Sequence, residues 1–337
     1  MVLRYRAAVL HAPQTPLSVE TVTAASLKPT DVLVRIRAAG LCHTDLEVIE
    51  GSLRYPLPIV LGHEAAGVVE QAGTAARGVK IGDHVVLSWN PHCGHCFYCD
   101  RDSPILCEEY LGGGPQGRAF DGESRAMLAD GRELQQLMFL GSFGEYCIVR
   151  DQQAIPIPKE VPFDRACLIG CGVMTGVGAA LNLGAIAHGD TVMVIGCGAV
   201  GLAAVQGARL AGAGAIIAVY LDPAKLALAA RMGATHGVNA SADDVIAAGR
   251  RETGGRGVDV VIESAGSASA FRTTPEAVRP GGQVIWLGKI DVNQDVSFRW
   301  GSLMQEKAHP PRQLRQRAAA PRFSAARASL SRRLPVA

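Results

Sequence analysis

Two hydrophobic patterns divide the chain. From the N-terminus to about residue 170, short runs of strand character, such as Asp31–Ala38 and Ala65–Glu70, are separated by Gly, Pro and Asp turns. Met1–Leu10 carries two arginines inside a strand-like pattern, unlike a secretory signal. This first part reads as all-β. From about Asp190, apolar runs alternate with Ala-rich stretches of helical character. Thr191–Ile195 predicts a buried strand, Val200–Ala211 a helix and Ala215–Val219 the next strand, with Val258–Glu263 and Gln283–Leu287 as later ones. Strand and helix in alternation indicate a parallel α/β sheet. After Lys307 neither period persists: the chain turns to Ala, Arg, Pro and Ser, a composition that predicts poor order.

A chain of 337 residues exceeds what one core usually fills, so two domains sharing a cleft are expected. Hydrophobic residues make up 48% and charged residues 19%, the balance of a soluble enzyme. No apolar run reaches the roughly 18 residues that a membrane span needs, so no membrane partner is expected and the cytoplasm is the default. The net charge of +2 hides an asymmetry. Residues 308–337 hold seven arginines and no acid, which leaves the remainder at −5. A mildly acidic body gives no electrostatic reason to expect nucleic acid as a partner.

The nine cysteines change the picture more, because an odd number in a reducing compartment points to metal or redox chemistry. Cys93, Cys96, Cys99 and Cys107 form C-x2-C-x2-C-x7-C, a spacing that closes a four-thiolate shell around Zn²⁺ with no place for water. An iron–sulfur cluster and four unrelated core cysteines are the competing readings. His92 and His95 interleave with the quartet and read as bystanders. A dispersed set comprises Cys42 in Gly-Leu-Cys-His-Thr-Asp, His63 in Gly-His-Glu, and Cys171 in Leu-Ile-Gly-Cys-Gly. Two thiolates and one imidazole suit a catalytic zinc that keeps its fourth position open, although each residue alone reads as core. Gly196-Cys197-Gly198-Ala199-Val200-Gly201 follows a predicted strand and opens a helix, the setting in which G-x-G-x-x-G binds a dinucleotide pyrophosphate. Cys147, Cys167 and Cys197 read as core thiols.

Five motifs, in this order along the chain, resemble the zinc-containing medium-chain alcohol dehydrogenases: Cys42-His43-Thr44-Asp45, Gly62-His63-Glu64-Ala65-Ala66-Gly67, the cysteine quartet, Gly170-Cys171-Gly172 and the turn at Gly196. The resemblance covers roughly residues 1–307, and the long connection from Cys107 to Phe143 is similar to the liver-type and formaldehyde-dehydrogenase-like branch. It implies an α/β protein with a GroES-like β-rich catalytic domain over residues 1–172 and a Rossmann doubly wound sheet over 173–307. The Arg/Ala/Pro-rich tail, 308–337, stands outside the family pattern.

Carried over by position, the resemblance implies that Cys42, His63 and Cys171 hold a catalytic zinc. Glu64 would stand close behind it, and Asp45 would orient the His63 imidazole. Thr44 would hydrogen-bond the alcohol and start its proton outward, with Glu47 where relatives end the relay at a histidine. The plain readings of those two are a turn hydroxyl and an exposed helix acid. His43 stands where some relatives place an arginine near the pyrophosphate, and Thr175 would line the nicotinamide. Gly196, Gly198, Ala199, Val200 and Gly201 would cradle the phosphates.

An NAD enzyme normally places an acid after the second strand; here Tyr220 occupies that position. Asp222 either substitutes for it or caps a helix begun by Pro223. Lys225 would reach the ribose or an adenosine phosphate. NAD is the expected cofactor, with NADP the alternative.

The implied activity is that of an NAD(P)-dependent zinc alcohol dehydrogenase, EC 1.1.1.-: reversible hydride transfer from a zinc-bound alkoxide to the nicotinamide, giving aldehyde or ketone. Primary alcohols, aryl alcohols and thiol-conjugated formaldehyde all remain candidate substrates. Gly301–Lys307 resembles the family up to the start of a last sheet strand, and the residues after Lys307 do not carry that strand's pattern. Relatives pair subunits through it, so the implied homo-oligomer would lack its interface strand. A shifted reading frame in GC-rich coding sequence would produce such a tail; a basic segment binding nucleic acid or anionic membrane is the competing account. The alternative function is a truncated, catalytically defective relative that binds zinc without turnover. A zinc-ribbon nucleic-acid binder would explain the quartet and tail, but neither Gly-His-Glu nor the glycine turn.

Overall fold

The computed structural model describes residues 2–291, 293–305 and 307. The expected disorder of residues 308–337 and the expected loss of the last family strand fall outside the described residues. Two compact units meet in the chain between Cys171 and Gly172.

The first unit contains β1 (Arg4–Leu10), β2 (Ser18–Ala24), β3 (Asp31–Gly40), β4 (Ile59–Val60), β5 (Glu64–Ala72), β6 (His84–Leu87), β7 (Ala126–Met127), β8 (Glu133–Gln136), β9 (Tyr146–Arg150) and β10 (Ala154–Pro156). Its helices are α1 (His43–Glu50), α2 (Glu108–Gly113) and α3 (Phe163–Ala166). A barrel closes in the order β1-β2-β7-β8-β4, and a second sheet runs β10-β6-β5-β3-β9. Alternation explains the central pair: Val32 and Val34 of β3 join Ala65 and Val69 of β5 and Val85 and Leu87 of β6 in one apolar cluster. The predicted runs 31–38 and 65–70 are the hearts of β3 and β5.

Register positions the functional residues. β3 and β5 pair antiparallel with Val34 opposite Val69 and Gly40 opposite Glu64. Cys42 follows Gly40 by two residues and His63 precedes Glu64 by one, so the pairing delivers both to the same end of the sheet. Gly40 leaves room there for the Glu64 carboxylate, since a Cβ would lie 2.2 Å from the Glu64 Oε2. A charge cluster pins the start of β3 to the barrel: Arg125 Nε lies 3.0 Å from Asp31 Oδ2, and both side chains are almost fully buried. Arg125 Nη2 also reaches Asp121 at 2.7 Å, which Lys28 Nζ approaches at 2.8 Å.

The second unit contains α4 (Gly172–Gly178), β11 (Thr191–Ile195), α5 (Ala199–Ala211), β12 (Ala215–Tyr220), α6 (Pro223–Met232), β13 (His236–Asn239), α7 (Val245–Arg251), β14 (Val258–Glu263), α8 (Ala268–Ala277) and β15 (Val278–Trp286). All five strands are parallel, in the order β13-β12-β11-β14-β15. Every residue of β11 is buried because both faces are covered. Val192 and Val194 join a cluster with Ala204, Val205 and Ala208 of α5; Met193 and Ile195 join the opposite cluster with Ile217, Val219 and Val261. Strand order reverses between β11 and β14, which places a ligand crevice beyond their carboxyl ends.

The expected boundaries hold for β11 and β14. β15 begins five residues earlier than expected, at Val278, and ends at Trp286; its first pairing, Val258 with Val278, is separated by a register shift from the regular run beginning at Gln283.

Candidate active site and metal centres

The dispersed residues come together. Ligand atoms of Cys42, His63, Glu64 and Cys171 all lie within 4.8 Å of one another. Cys42 is the N-cap of α1, while Gly170 sits so tightly on β6 that a Cβ would lie 2.4 Å from the Leu87 carbonyl oxygen; that contact sets the position of Cys171. Asp45 ties the stretches together: its Oδ2 accepts from the Cys42 N–H at 3.0 Å and its Oδ1 from the Gly62 N–H at 2.8 Å. The same Oδ1 faces His63 Nδ1 at 3.6 Å. The imidazole is 1% exposed and Nδ1 has no closer partner, so the other ring nitrogen is left for the sulfurs.

The ionisations of this group are linked. A hydrogen bond shared with Cys171 draws the Cys42 thiol down to about 3, against burial and with help from His63 and the Thr44 N–H. The same pairing pushes Cys171 far up, so the two sulfurs do not both ionise unaided. Burial disfavours a charged His63, but Asp45 and the Cys42 thiolate outweigh it and raise the group to about 9. Two sulfurs, an imidazole and a carboxylate around one point form a donor set that Zn²⁺ fits.

The quartet is also assembled, with the four sulfurs within 4.8 Å of one another. Cys93 and Cys99 are 3.9 Å apart, close to the roughly 3.8 Å edge of a tetrahedron with zinc–sulfur bonds near 2.3 Å. Tight turns at Cys99–Arg101 and Pro104–Leu106 bring the ligands round, and Cys107 is fully buried. His92 is half-buried, and its carbonyl accepts from Gln152 Nε2 at 3.0 Å. His95 instead groups with Cys93 and Glu109, a cluster the sequence did not signal because a helix acid is ordinarily solvated.

Thr44 and Glu47 are half-buried on α1, whereas His43 at its start is exposed. An aromatic wall carries no signal in the sequence. Tyr110 packs against Trp89 and Phe139, with ring centroids 5.9 and 5.5 Å away. Burial pushes the Tyr110 phenol up, with smaller contributions from Tyr55 and Cys171.

In the second unit the glycine turn joins β11 to α5. Gly196 takes φ +102, and a Cβ there would lie 2.6 Å from the Ala265 nitrogen; at Gly201 it would lie 1.8 Å from the Gly196 oxygen. Packing within the chain thus accounts for both. A Cβ at Gly198 would meet nothing within 4 Å. The open space beside it, at the start of the helix, fits the pyrophosphate of a dinucleotide.

Ala199 and Val200 form the first turn of α5, and Thr175 lies on α4 next to Gly176, where a Cβ would be 2.2 Å from the Val200 oxygen. Tyr220 is half-buried against the cluster of Cys197, Leu202 and Ala229. Asp222 caps α6, its Oδ1 accepting from the Ala224 N–H at 2.8 Å, and Pro223 begins the helix. Lys225 is exposed.

Residues 28–159 match the alcohol dehydrogenase GroES-like domain and residues 199–309 the zinc-binding dehydrogenase domain. Over 299 residues the chain is 38% identical to S-(hydroxymethyl)glutathione dehydrogenase of Saccharomyces cerevisiae, an alignment spanning 87% of this chain and 78% of that protein.

The chain belongs to the zinc-dependent medium-chain alcohol dehydrogenases.

Solved structures agree. An alcohol dehydrogenase zinc-binding domain protein from Burkholderia ambifaria superposes with a TM-score of 0.86 at 34% identity, covering 100% of both chains. Benzyl alcohol dehydrogenase from Acinetobacter calcoaceticus gives 0.84 at 31%, covering 89% of this chain and 81% of that one. The GroES-like plus Rossmann fold expected from the motifs is therefore the fold found. The activity is that of an alcohol dehydrogenase, an EC 1.1.1.- oxidoreductase acting on small alcohols or aldehydes with zinc and NAD(P). Among the described residues no single helix is long and apolar enough to cross a membrane.

Proposed function

We propose that this alcohol dehydrogenase oxidises apolar, aryl-bearing primary alcohols, with NAD as its hydride acceptor, in the cytoplasm and without a nucleic-acid or membrane partner. The convergence of Cys42, His63, Glu64 and Cys171 carries the catalytic part of this reading. Zinc held by Cys42, His63 and Cys171 supplies the Lewis acidity that lets an alcohol lose its proton near neutral pH, and the dinucleotide supplies the acceptor.

The chain's own residues do the rest. Asp45 fixes the backbone that carries Cys42 and the residue before His63. The Thr44 hydroxyl takes the substrate proton as it passes its own outward, and Glu47, three residues on along α1, receives it. The amides at Gly198, Ala199, Val200 and Gly201 receive the pyrophosphate with the positive end of α5 behind them. Tyr220, Asp222 and Lys225 border the adenosine end, His43 assists the phosphates and Thr175 the nicotinamide. Cys93, Cys96, Cys99 and Cys107 hold the structural zinc.

The structural likeness to benzyl alcohol dehydrogenase supports an aryl or other apolar alcohol, and the packed rings of Trp89, Tyr110 and Phe139 add apolar aromatic surface to the same unit. The similarity to S-(hydroxymethyl)glutathione dehydrogenase supports a second reading, an anionic thiol adduct of formaldehyde. The test is NAD(P)H formation at 340 nm with benzyl alcohol, ethanol and S-(hydroxymethyl)glutathione, each with NAD and NADP. The proposal expects the highest kcat/KM with benzyl alcohol and NAD. A preference for the thiol adduct would overturn the substrate class. No turnover in a protein holding two zincs per chain would leave the catalytically defective relative.

A further inference from the structure

We propose that Cys93, His95 and Glu109 form an additional, surface zinc position through which the cysteine quartet is loaded and unloaded. Ligand atoms of the three residues lie within 4.8 Å of one another. His95 Nε2 stands 3.4 Å from Glu109 Oε1, and these side chains are 76% and 47% exposed. Cys93 belongs to this group and to the quartet alike. Gly94, between Cys93 and His95, takes φ +85 in the left-handed region that glycine adopts without strain, and nothing packs against its Cβ position.

The two ligand sets have opposite coordination chemistry. One thiolate, one imidazole and one carboxylate leave a fourth place for water, and an ion held that way exchanges readily. Four thiolates close the shell, and the deepest of them, Cys107, is fully buried. Because the Cys93 sulfur is common to both, the ion passes inward by ligand exchange. The bonds to His95 nitrogen and the Glu109 carboxylate break as those to Cys96, Cys99 and Cys107 form, and the incoming thiols lose their protons to solvent. The zinc remains attached to the protein throughout and sheds its waters stepwise. An exposed His–Glu contact contributes little to stability, so replacing it tests the transfer role without disturbing the fold. This inference rests on the quartet holding zinc, and not on the choice of alcohol.

The test uses the holoenzyme and the His95→Ala, Glu109→Gln and doubly substituted variants. Zinc release to a chromogenic chelator is followed alongside activity, so that the phase which does not track activity loss reports the quartet. Re-entry of Co²⁺ is then read from thiolate-to-cobalt absorption. Native zinc content and native Tm are expected in all variants, with both exchange rates lowered about tenfold in the double variant and less in each single one. A His92→Ala variant, altered in the same lobe but outside the trio, should exchange at the native rate. Unchanged rates in the double variant, or equal slowing by His92→Ala, would overturn the proposal. So would loss of quartet zinc at equilibrium in His95→Ala, which would make His95 a ligand of the quartet itself.

Discussion

The two candidate metal centres of the first unit are built in opposite ways. The quartet draws its donor atoms from one stretch, residues 93–107, shaped by short turns rather than strands, with three of its four cysteines only half-buried. The dispersed centre spans residues 42–171 and hangs from the β3–β5 register, the seat of Gly170 on β6, and a buried carboxylate that hydrogen-bonds two separate backbone stretches. A local cluster with little core depends on its ion for order, as small zinc modules do. A cluster delivered by a sheet has its geometry from packing before the ion arrives. Zinc is therefore expected to serve the fold at the quartet and the chemistry at the dispersed centre.

The largest contrast is expected between Cys171→Ser and Cys99→Ser. The first should lower turnover roughly a thousandfold or more while Tm stays close to native. The second should keep measurable turnover but lose one zinc, lower Tm and open residues 93–113 to limited proteolysis. A Cys99→Ser protein as heat- and protease-resistant as the parent would erase the distinction.

Next in size is the scaffold behind the dispersed centre. Arg125→Met strands the buried Asp31 carboxylate, a loss on the order of 3–5 kcal/mol in urea unfolding. Its dispersed zinc should weaken with the scaffold and its quartet zinc should not, as chelator competition would show.

Asp45→Asn acts more gently on the dispersed centre. An amide nitrogen cannot accept from the Cys42 or Gly62 N–H, so zinc affinity at the dispersed centre should fall about 10–100-fold, with the quartet unaffected. Equal weakening of both centres would show that they are coupled.

The smallest effect is electrostatic. Burial acts to raise the Asp121 carboxyl, but Arg125 and Lys28 outweigh it and hold it below the usual carboxylate range. Its folded value lies below its unfolded value, so its contribution is present above the ordinary value of 3.8 and is lost as pH falls through the lower folded value. Asp121→Asn should flatten the acid side of the unfolding free energy against pH by on the order of 1 kcal/mol, solvent screening at a partly exposed group setting the limit. An unchanged acid limb would remove Asp121 from the scaffold.

Residues differ in how legible they are in the sequence, for physical reasons. The quartet can be read because its ligands are neighbours in the chain, and β11 with α5 because a buried run, a glycine turn and an Ala-rich helix are consecutive. Asp45 is expected from the sequence to orient His63. It does face the imidazole, but its hydrogen bonds go to the Cys42 and Gly62 N–H groups, a role that exists only once β3 and β5 are in register. Asp222 allows two readings until its carboxylate is seen capping α6. Glu109 and Tyr110 carry no signal, because a helix acid and a core aromatic are ordinary until their neighbours are known.

By itself the sequence determined the periodicities, the order of the two folds along the chain, the donor atoms and the glycine turn, since all of these are properties of near neighbours. The tertiary structure decided which distant donors share one point, which oxygen of Asp45 serves which backbone group, which aromatic rings pack together, and that His95 pairs with Glu109. Those outcomes depend on strand register and close packing, where a one-residue shift would turn each side chain to the opposite face.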